Sequence, residues 1–301
     1  MKKFLVTGGD GFIGSAICKM LLNMGIKVIS LDNRSRNRKF ENEKLYKSLN
    51  CDITDYRELK KIKGSFDSII HLAFINGTKY FYSKPELVLD VAVKGLVNIF
   101  DACKTYNIKE IYLASSSEVY QTPARIPTNE AESLKIPDIM NPRYSYGGGK
   151  ILTELMGINF GRKFFKKLII FRPHNVYGND MGNEHVIPEF MKRIREKNKK
   201  NFYIEGTGNE IRSFIHIKDF LNAFKILLQK GKHLEIYNIG NSEKVKIIEL
   251  VKMISLIMNT KVKIVRKPLK KGGTKIRVPD IQKIKKLGFK NQITLKNGLL
   301  S

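Results

Sequence analysis

Residues 7–14 read Thr7-Gly8-Gly9-Asp10-Gly11-Phe12-Ile13-Gly14. Phe4-Leu5-Val6 precedes them as a short apolar run of strand character, and Ile17, Leu21 and Leu22 follow at helical spacing until Gly25. Lys27 to Leu31 then reads as a second strand, and an acid, Asp32, stands 18 residues after Gly14. Strand, glycine turn, helix, strand and acid together make the βαβ unit that holds a dinucleotide. Gly8 permits the tight turn, Gly11 lets the backbone approach a pyrophosphate, and Gly14 lets the helix lie close on the strand. The helix N-terminus offers free N–H groups and partial positive charge to phosphate. Asp32 suits the ribose hydroxyls and repels a 2′-phosphate, which selects NAD over NADP, while the nearby Arg34, Arg36 and Arg38 argue the other way.

Outward from this unit, strands and helices alternate. Tyr46 to Leu49 and Asn50-Cys51-Asp52-Ile53 read as a short strand and its end; Asp52 suits either the adenine amine or, with Thr54, a helix N-cap. Tyr56 to Lys63 reads as a helix and Ser68 to Ala73 as a buried strand, with His71 in the core rather than acting as a base. Pro85 to Tyr106 is a long helix with Leu87, Val91 and Leu96 on one face, and Ile111 to Ala114 is a strand running into Ser115-Ser116-Ser117-Glu118. A proline-rich loop, Pro123 to Pro142, leads to a helix opened by Arg143-Tyr144-Ser145-Tyr146, and Leu168 to Phe171 is the next strand. The pattern predicts a doubly wound parallel α/β sheet of Rossmann type. Further on come a basic helix over Pro188 to Lys197, strands at Phe202 to Ile204, Ile211 to Ile215, Ile236 to Ile239 and Val262 to Val265, and helices at Lys218 to Gln229, Glu249 to Met258 and Asp280 to Lys286.

The chain has 301 residues, of which 42% are hydrophobic, so a full core is within reach. No apolar run approaches the ~18 residues of a membrane helix, and the start lacks the pattern of an export signal. Cys18, Cys51 and Cys103 lack metal spacing and read as free thiols, so the expectation is a cytoplasmic protein with no metal and no membrane contact. The net charge of +27 raises nucleic-acid binding. The lysines are spread along the whole chain, however, and the aromatics do not interleave with them, so the reading is solvated faces and attraction for an anionic substrate, without nucleic acid.

Tyr146 and Lys150, four apart, share one helix face. An ammonium beside a phenol favours the phenolate, which can take a proton from a substrate hydroxyl while hydride leaves the same carbon. Ser116, at the end of the preceding strand, is placed to bond that hydroxyl. Gly147, Gly148 and Gly149 are costly in a helix, and the expected reason is close approach of cofactor or substrate to the backbone.

With these residues in place, the chain resembles the extended short-chain dehydrogenase/reductases of the NAD-dependent epimerase/dehydratase group, which act on nucleotide-sugars. The resemblance spans nearly the whole sequence. It rests on the Thr7–Gly14 turn, Asp32-Asn33, Asp52-Ile53, His71-Leu72-Ala73, Ser116 to Tyr120, Tyr146 with Lys150, Arg172-Pro173, Asn175 to Gly178, Ile187-Pro188, Arg212 to Asp219 and Arg277 to Asp280. It implies a tightly bound NAD recycled within each turnover, lined by Gly8, Gly11, Phe12, Ile13, Gly14, Asp32, Asn33, Asp52, Ile53, Leu72, Ala73, Tyr146 and Lys150. It implies Tyr146, Lys150 and Ser116 as catalytic residues and a nucleotide-diphosphate sugar as substrate. Ser116, Ser117, Asn175, Val186, Ile187, Arg212 and Arg277 would hold that substrate. His174, unusual before Asn175, is placed to touch the sugar. It further implies an NAD-binding domain of residues 1–172 plus about 213–241, a smaller discontinuous substrate region of about 173–212 plus 242–301, and a homodimer through helices 85–106 and 144–160.

The shared first step is oxidation at sugar C4 to a 4-keto intermediate. Glu118 is the candidate second base, or else a strand-end carboxylate bonded to backbone. Ser-Ser-Glu here resembles the corresponding segment of GDP-mannose dehydratases and UDP-glucuronate decarboxylases, and points to 4,6-dehydration. Alternatives are 4-epimerisation, net C4 dehydrogenation, decarboxylation, or a non-catalytic NAD-binding sensor or scaffold. Ala92 stands where the group usually has asparagine, and Ser117 where glucose-type dehydratases carry an acid.

Overall fold

The computed structural model describes residues 1–35, 41–182, 185–196, 201–269 and 271–301. Among these, seven strands form one parallel sheet: β1 (Lys3–Thr7), β2 (Lys27–Asp32), β3 (Tyr46–Asn50), β4 (Ser68–His71), β5 (Glu110–Ala114), β6 (Lys167–Pro173) and the strand Glu235–Ile239. The sheet grows in both directions from its first strand: β2 and β3 lie on one side of β1, and β4, β5, β6 and Glu235–Ile239 on the other. Both faces are covered, which is why the central strands β1, β4, β5 and β6 are near-continuous apolar runs. Phe4, Val6, Val28, Ile70, Tyr112 and Phe171 pack on one face with Ile17, Leu21, Phe220 and Phe224. Leu5, Ile29, Ile69, Ile111 and Ile170 pack on the other with Leu96, Ile99 and Phe100.

The helix α1 (Phe12–Asn23) follows the glycine turn directly, and Gly25 at φ +72° ends its descent. The long helix from Pro85 contains a π-helical turn, Val91–Gly95, between the α-helical stretches Pro85–Asp90 and Leu96–Thr105. That wider turn shifts the register. Val88, Val91, Ala92 and Leu96 are buried, whereas Leu87, expected on the inner face, is exposed. Asp55, rather than Asp52 or Thr54, caps the helix Tyr56–Lys60. The expected strand over Ile211 to Ile215 is two separate two-residue strands, Ile211–Arg212 and Ile215–His216, paired with different partners. The helices Thr78–Ser83 and Leu295–Leu300 were not anticipated from the pattern, being short and without clear periodicity.

A third core gathers Tyr177, Ile187, Phe190, Phe202, Ile204, Phe214, Leu250, Ile254 and Leu299 beyond the carboxyl ends of the strands. Ile281, Ile284 and Phe289, although late in the chain, pack with the main sheet's core. Arg36, Arg38 and Lys197 lie outside the described residues. Among the described residues no helix is long and apolar enough to cross a membrane, and no group of His, Cys, Asp and Glu has the makings of a metal site. The three cysteines are buried and free.

Candidate active site

A parallel sheet whose order reverses at β1 and β4 leaves a crevice at the carboxyl ends of those strands. The Thr7 hydroxyl stitches the two ends together by accepting from the N–H groups of Leu72 and Ala73, both at 3.2 Å. A cleft of about 950 Å³ opens there. Its walls include every residue expected to line the cofactor: Gly8, Gly11, Phe12, Ile13, Gly14, Asp32, Asn33, Asp52, Ile53, Leu72, Ala73, Tyr146 and Lys150. Gly8 has φ +69°, and a Cβ on it would lie 2.8 Å from the Ala73 nitrogen; a Cβ on Gly14 would lie 2.0 Å from the Gly8 carbonyl oxygen. The turn therefore requires hydrogen at both positions, and leaves the backbone ahead of the α1 N-terminus bare, as a pyrophosphate needs. With the Asp32 carboxylate at the end of β2, these residues fit a dinucleotide.

His71 is buried behind this turn, its Nδ1 2.8 Å from the Thr7 hydroxyl, and burial pushes its pKa down to about 3. It is a neutral core histidine, as expected. Asp52 accepts from the Thr54 N–H and hydroxyl at 2.9 and 2.8 Å while still lining the cleft.

Ser116, Ser117, Glu118, Tyr146 and Lys150 all line this cleft. Tyr146 is sandwiched by aromatic rings, stacked on Phe81 at 4.8 Å and met edge-on by Phe74 at 5.2 Å. Neither phenylalanine was singled out in the sequence, since lone aromatics carry no spacing signal. The Lys150 amine donates to the Ala114 carbonyl at 2.7 Å and sits 5.9 Å from the Tyr146 ring centre. Burial pulls its pKa down to about 7, against the upward pull of Glu154. Glu154 is held in turn by Arg172 through two hydrogen bonds, at 2.8 and 2.5 Å, and by the Ser115 hydroxyl.

The glycines after Tyr146 contradict their expected role. The space a side chain would need is filled by the protein itself: by Gln121 at Gly147, Ile136 at Gly148, and Ala92 with Phe74 at Gly149.

Asn175, Val186, Ile187, Arg212 and Arg277 also border the cleft. His174 does not: it is wholly buried behind it, packed on Tyr120, with Nε2 3.1 Å from the Asn238 amide oxygen. Its bulk faces inward because β6 ends at Pro173 and the alternation of side chains continues. The expectation that His174 touches the sugar is therefore corrected.

Arg212 and Arg277 are register partners in a small sheet formed by Ile211–Arg212, Val245–Lys246 and Ile276–Arg277. Arg277 grips Glu118 with two parallel hydrogen bonds of 2.8 and 2.9 Å and also donates to the Thr274 hydroxyl. Arg143, absent from the sequence-based set although it lies three residues before Tyr146, stands 3.8 Å from the same carboxylate. Burial would raise the Glu118 pKa, but Arg277 and then Arg143 outweigh it and hold the carboxyl below its ordinary range. Glu118 is thus an ionised carboxylate bonded to a side chain, neither free nor tied to backbone. Arg212 donates to the Ile211 and Thr274 carbonyls at 2.9 and 2.7 Å, and burial followed by Arg277 brings its pKa down to about 10. Three guanidinium groups around one carboxylate leave an excess of positive charge suited to an anionic substrate.

A model of the NAD dependent epimerase/dehydratase family matches residues 4–240. The chain is 29% identical to an uncharacterized protein of Methanocaldococcus jannaschii over 99% of its own length and 94% of that protein's. It is also 29% identical to a dTDP-D-glucose 4,6-dehydratase of Dictyostelium discoideum, over 84% of this chain and 62% of the longer relative. Among solved structures it is similar to the UDP-glucose 4-epimerase of Thermotoga maritima crystallised with UDP-glucose, with 26% identity, a TM-score of 0.88, and 99% and 96% of the two chains covered.

Proposed function

Because the chain belongs to the NAD-dependent epimerase/dehydratase family, we propose that it oxidises the hexose of a nucleotide-diphosphate sugar at C4 and carries the 4-keto intermediate through 4,6-dehydration. The observation that carries the first step is that Tyr146, Lys150 and Ser116 line the same cleft as the glycine turn. Gly8, Gly11, Gly14 and Asp32 would hold NAD, the family's cofactor, which when bound would supply a reversible acceptor for the C4 hydride. Tyr146 takes the C4 hydroxyl proton, Lys150 supplies positive charge that favours the phenolate, and Ser116 orients the hydroxyl. The 4-ketone acidifies the C5 proton, which Glu118 removes and delivers to the C6 hydroxyl, so that it departs as water. Asn175, Val186, Ile187, Arg212 and Arg277 hold the nucleotide diphosphate, with Arg143 added to the set. Residues 1–172 with 213–241 form the NAD-binding domain in this reading, and 173–212 with 242–301 the substrate region, apart from the packing of Ile281 to Phe289 on the main sheet.

One observation favours a second reading. Glu118 is gripped by Arg277 and is a weak base while so held, and Ser117 offers no proton to a departing hydroxyl. A 4-keto uronate loses carbon dioxide without a base, and the surplus of guanidinium charge suits its carboxylate. Incubation with UDP-, dTDP-, GDP- and CDP-hexoses and with UDP-glucuronate, followed by product mass and NMR, separates the outcomes. Loss of water supports dehydration and loss of carbon dioxide supports decarboxylation. Loss of two hydrogens indicates net oxidation, and an inverted C4 at unchanged mass indicates epimerisation. A Tyr146→Phe variant that still turns over would remove the base assignment.

The partner in this reading is a second copy of the chain. Leu89, Val93 and Val97 follow one another along an exposed ridge of the Pro85–Thr105 segment, and Leu155 and Phe160 are exposed on the helix Tyr144–Phe164 beside it. An apolar ridge of this kind is the material of a helix–helix interface.

A further inference from the structure

We propose that Asp10 is a cofactor-specificity residue that keeps the cleft selective for NAD by holding Arg34 away from the place of a 2′-phosphate. The inference rests on the assignment of the cleft to NAD. Asp10 sits inside the glycine turn, borders the cleft and is 2% exposed. Its carboxylate accepts from the hydroxyls of Ser30 at 3.3 Å, Tyr46 at 3.2 Å and Ser48 at 3.1 Å. Its N–H donates to Asp32 at 3.1 Å, so the two acids stand side by side. Arg34 also borders the cleft, with φ +55°, and its own N–H donates to the other Asp32 oxygen at 2.8 Å. Its side chain folds inward: Nε lies 3.5 Å from the Asp10 carboxylate and one terminal nitrogen donates to Ser48 at 3.2 Å.

An arginine just past the acid at the end of the second strand is what accommodates a 2′-phosphate. Here that cation already lies against a buried acid, its Nε 3.5 Å from Asp10 without a hydrogen bond and its terminal nitrogen bonded to Ser48. A 2′-phosphate would meet Asp32 and Asp10 together and could recruit Arg34 only by stripping it from Asp10. With the 2′-hydroxyl of NAD there is no such conflict. Asp10 thus positions Arg34 and adds a second repelling charge.

The test is fluorescence titration with NADH and with NADPH, after any co-purified nucleotide has been removed, on the wild-type protein, Asp10→Asn, Asp10→Ala, and each of these combined with Arg34→Ala, melting curves confirming that each is folded. The wild type is expected to prefer NADH by at least ~100-fold, a difference of about 2.7 kcal/mol. Both single variants should move the NADPH-to-NADH affinity ratio toward NADPH by ten-fold or more, and Arg34→Ala should cancel that gain. An unchanged ratio in both folded single variants overturns the proposal. So does a gain that survives Arg34→Ala, which would assign it to another cation. Failure of the wild type to bind either nucleotide would instead sink the dinucleotide assignment.

Discussion

Glu118 and Arg277, 159 residues apart in sequence, meet in a two-pronged ion pair at 2.8 and 2.9 Å on the wall of the cleft. A guanidinium cannot serve this carboxylate and a substrate diphosphate equally at once. Glu118 therefore occupies the arginine until an anion competes for it. Glu118→Gln is expected to bind UDP or dTDP more tightly than the wild type, because Arg277 is released. Arg277→Gln is expected to bind them about 10- to 100-fold more weakly, in line with the loss of a charged hydrogen bond. Calorimetric titration checks both, and weakening in the two variants alike would remove Arg277 from the diphosphate site.

Lys150 is a buried charge on the cleft, and its replacement should separate stability from activity. Its folded pKa of about 7 lies below the usual lysine value because the charged form is buried. The unfolded chain thus binds more protons between about pH 7 and 10.5, and the contribution of this residue to stability rises with pH across that window. At pH 7 and below the fold bears the full penalty. Lys150→Met should therefore raise the melting temperature at pH 7 by a few degrees, about 1 kcal/mol or more, and lower kcat/KM by about a hundred-fold or more. A variant that melts lower, with activity intact, would contradict both halves.

The Rossmann half was legible because its signals are local. Glycine spacing, the acid after the second strand, and continuous apolar runs all follow from the chemistry of a few neighbouring residues, and the structure places them as expected. Tyr146 and Lys150 were legible for the same reason, being one helical turn apart. Arg143 and the inward turn of Arg34 were not, because each depends on a carboxylate brought close by the fold. Leu87 was misplaced since a π-helical turn leaves no periodicity signal that five residues can show. His174 was assigned to the sugar from its neighbour's motif, but strand alternation turns it into the core.

Gly149 carries a packing duty that its sequence context disguised. A Cβ there would lie 2.8 Å from the Ala92 Cβ, an atom that cannot rotate away, and 3.0 Å from Phe74. Gly149→Ala ordinarily gains up to about 1 kcal/mol in helix propensity. The clash should reverse this and destabilise by about 1–3 kcal/mol. Ala92→Gly added to that variant should restore most of the loss, as urea denaturation would show. Independent, additive effects of the two changes would exclude the contact.

The exposed ridge predicts assembly through these same two helices. Val93→Glu combined with Leu155→Glu places charges on it without touching the cleft. The wild type should sediment as a dimer and the variant as a folded monomer. A wild type that remains monomeric at tens of micromolar would remove the interface.

Acid should unfold the protein through its buried histidines. His71 and His174 each have a folded pKa of about 3, set first by burial, against about 6.5 in the unfolded chain. Their neutral forms are favoured by the fold, so their contribution is complete above pH 6.5 and is lost as pH falls toward 3. His216, lowered by burial and by Lys218, acts in the same direction. Between about pH 6 and 4.5 most carboxylates remain ionised, and each buried histidine adds about 1.4 kcal/mol of lost stability per pH unit. The urea-unfolding free energy should therefore fall by nearly 3 kcal/mol per unit in this window. His174→Gln should shed about half of that slope, whatever its effect on absolute stability. A slope unchanged by the substitution would mean that His174 accepts its proton within the fold.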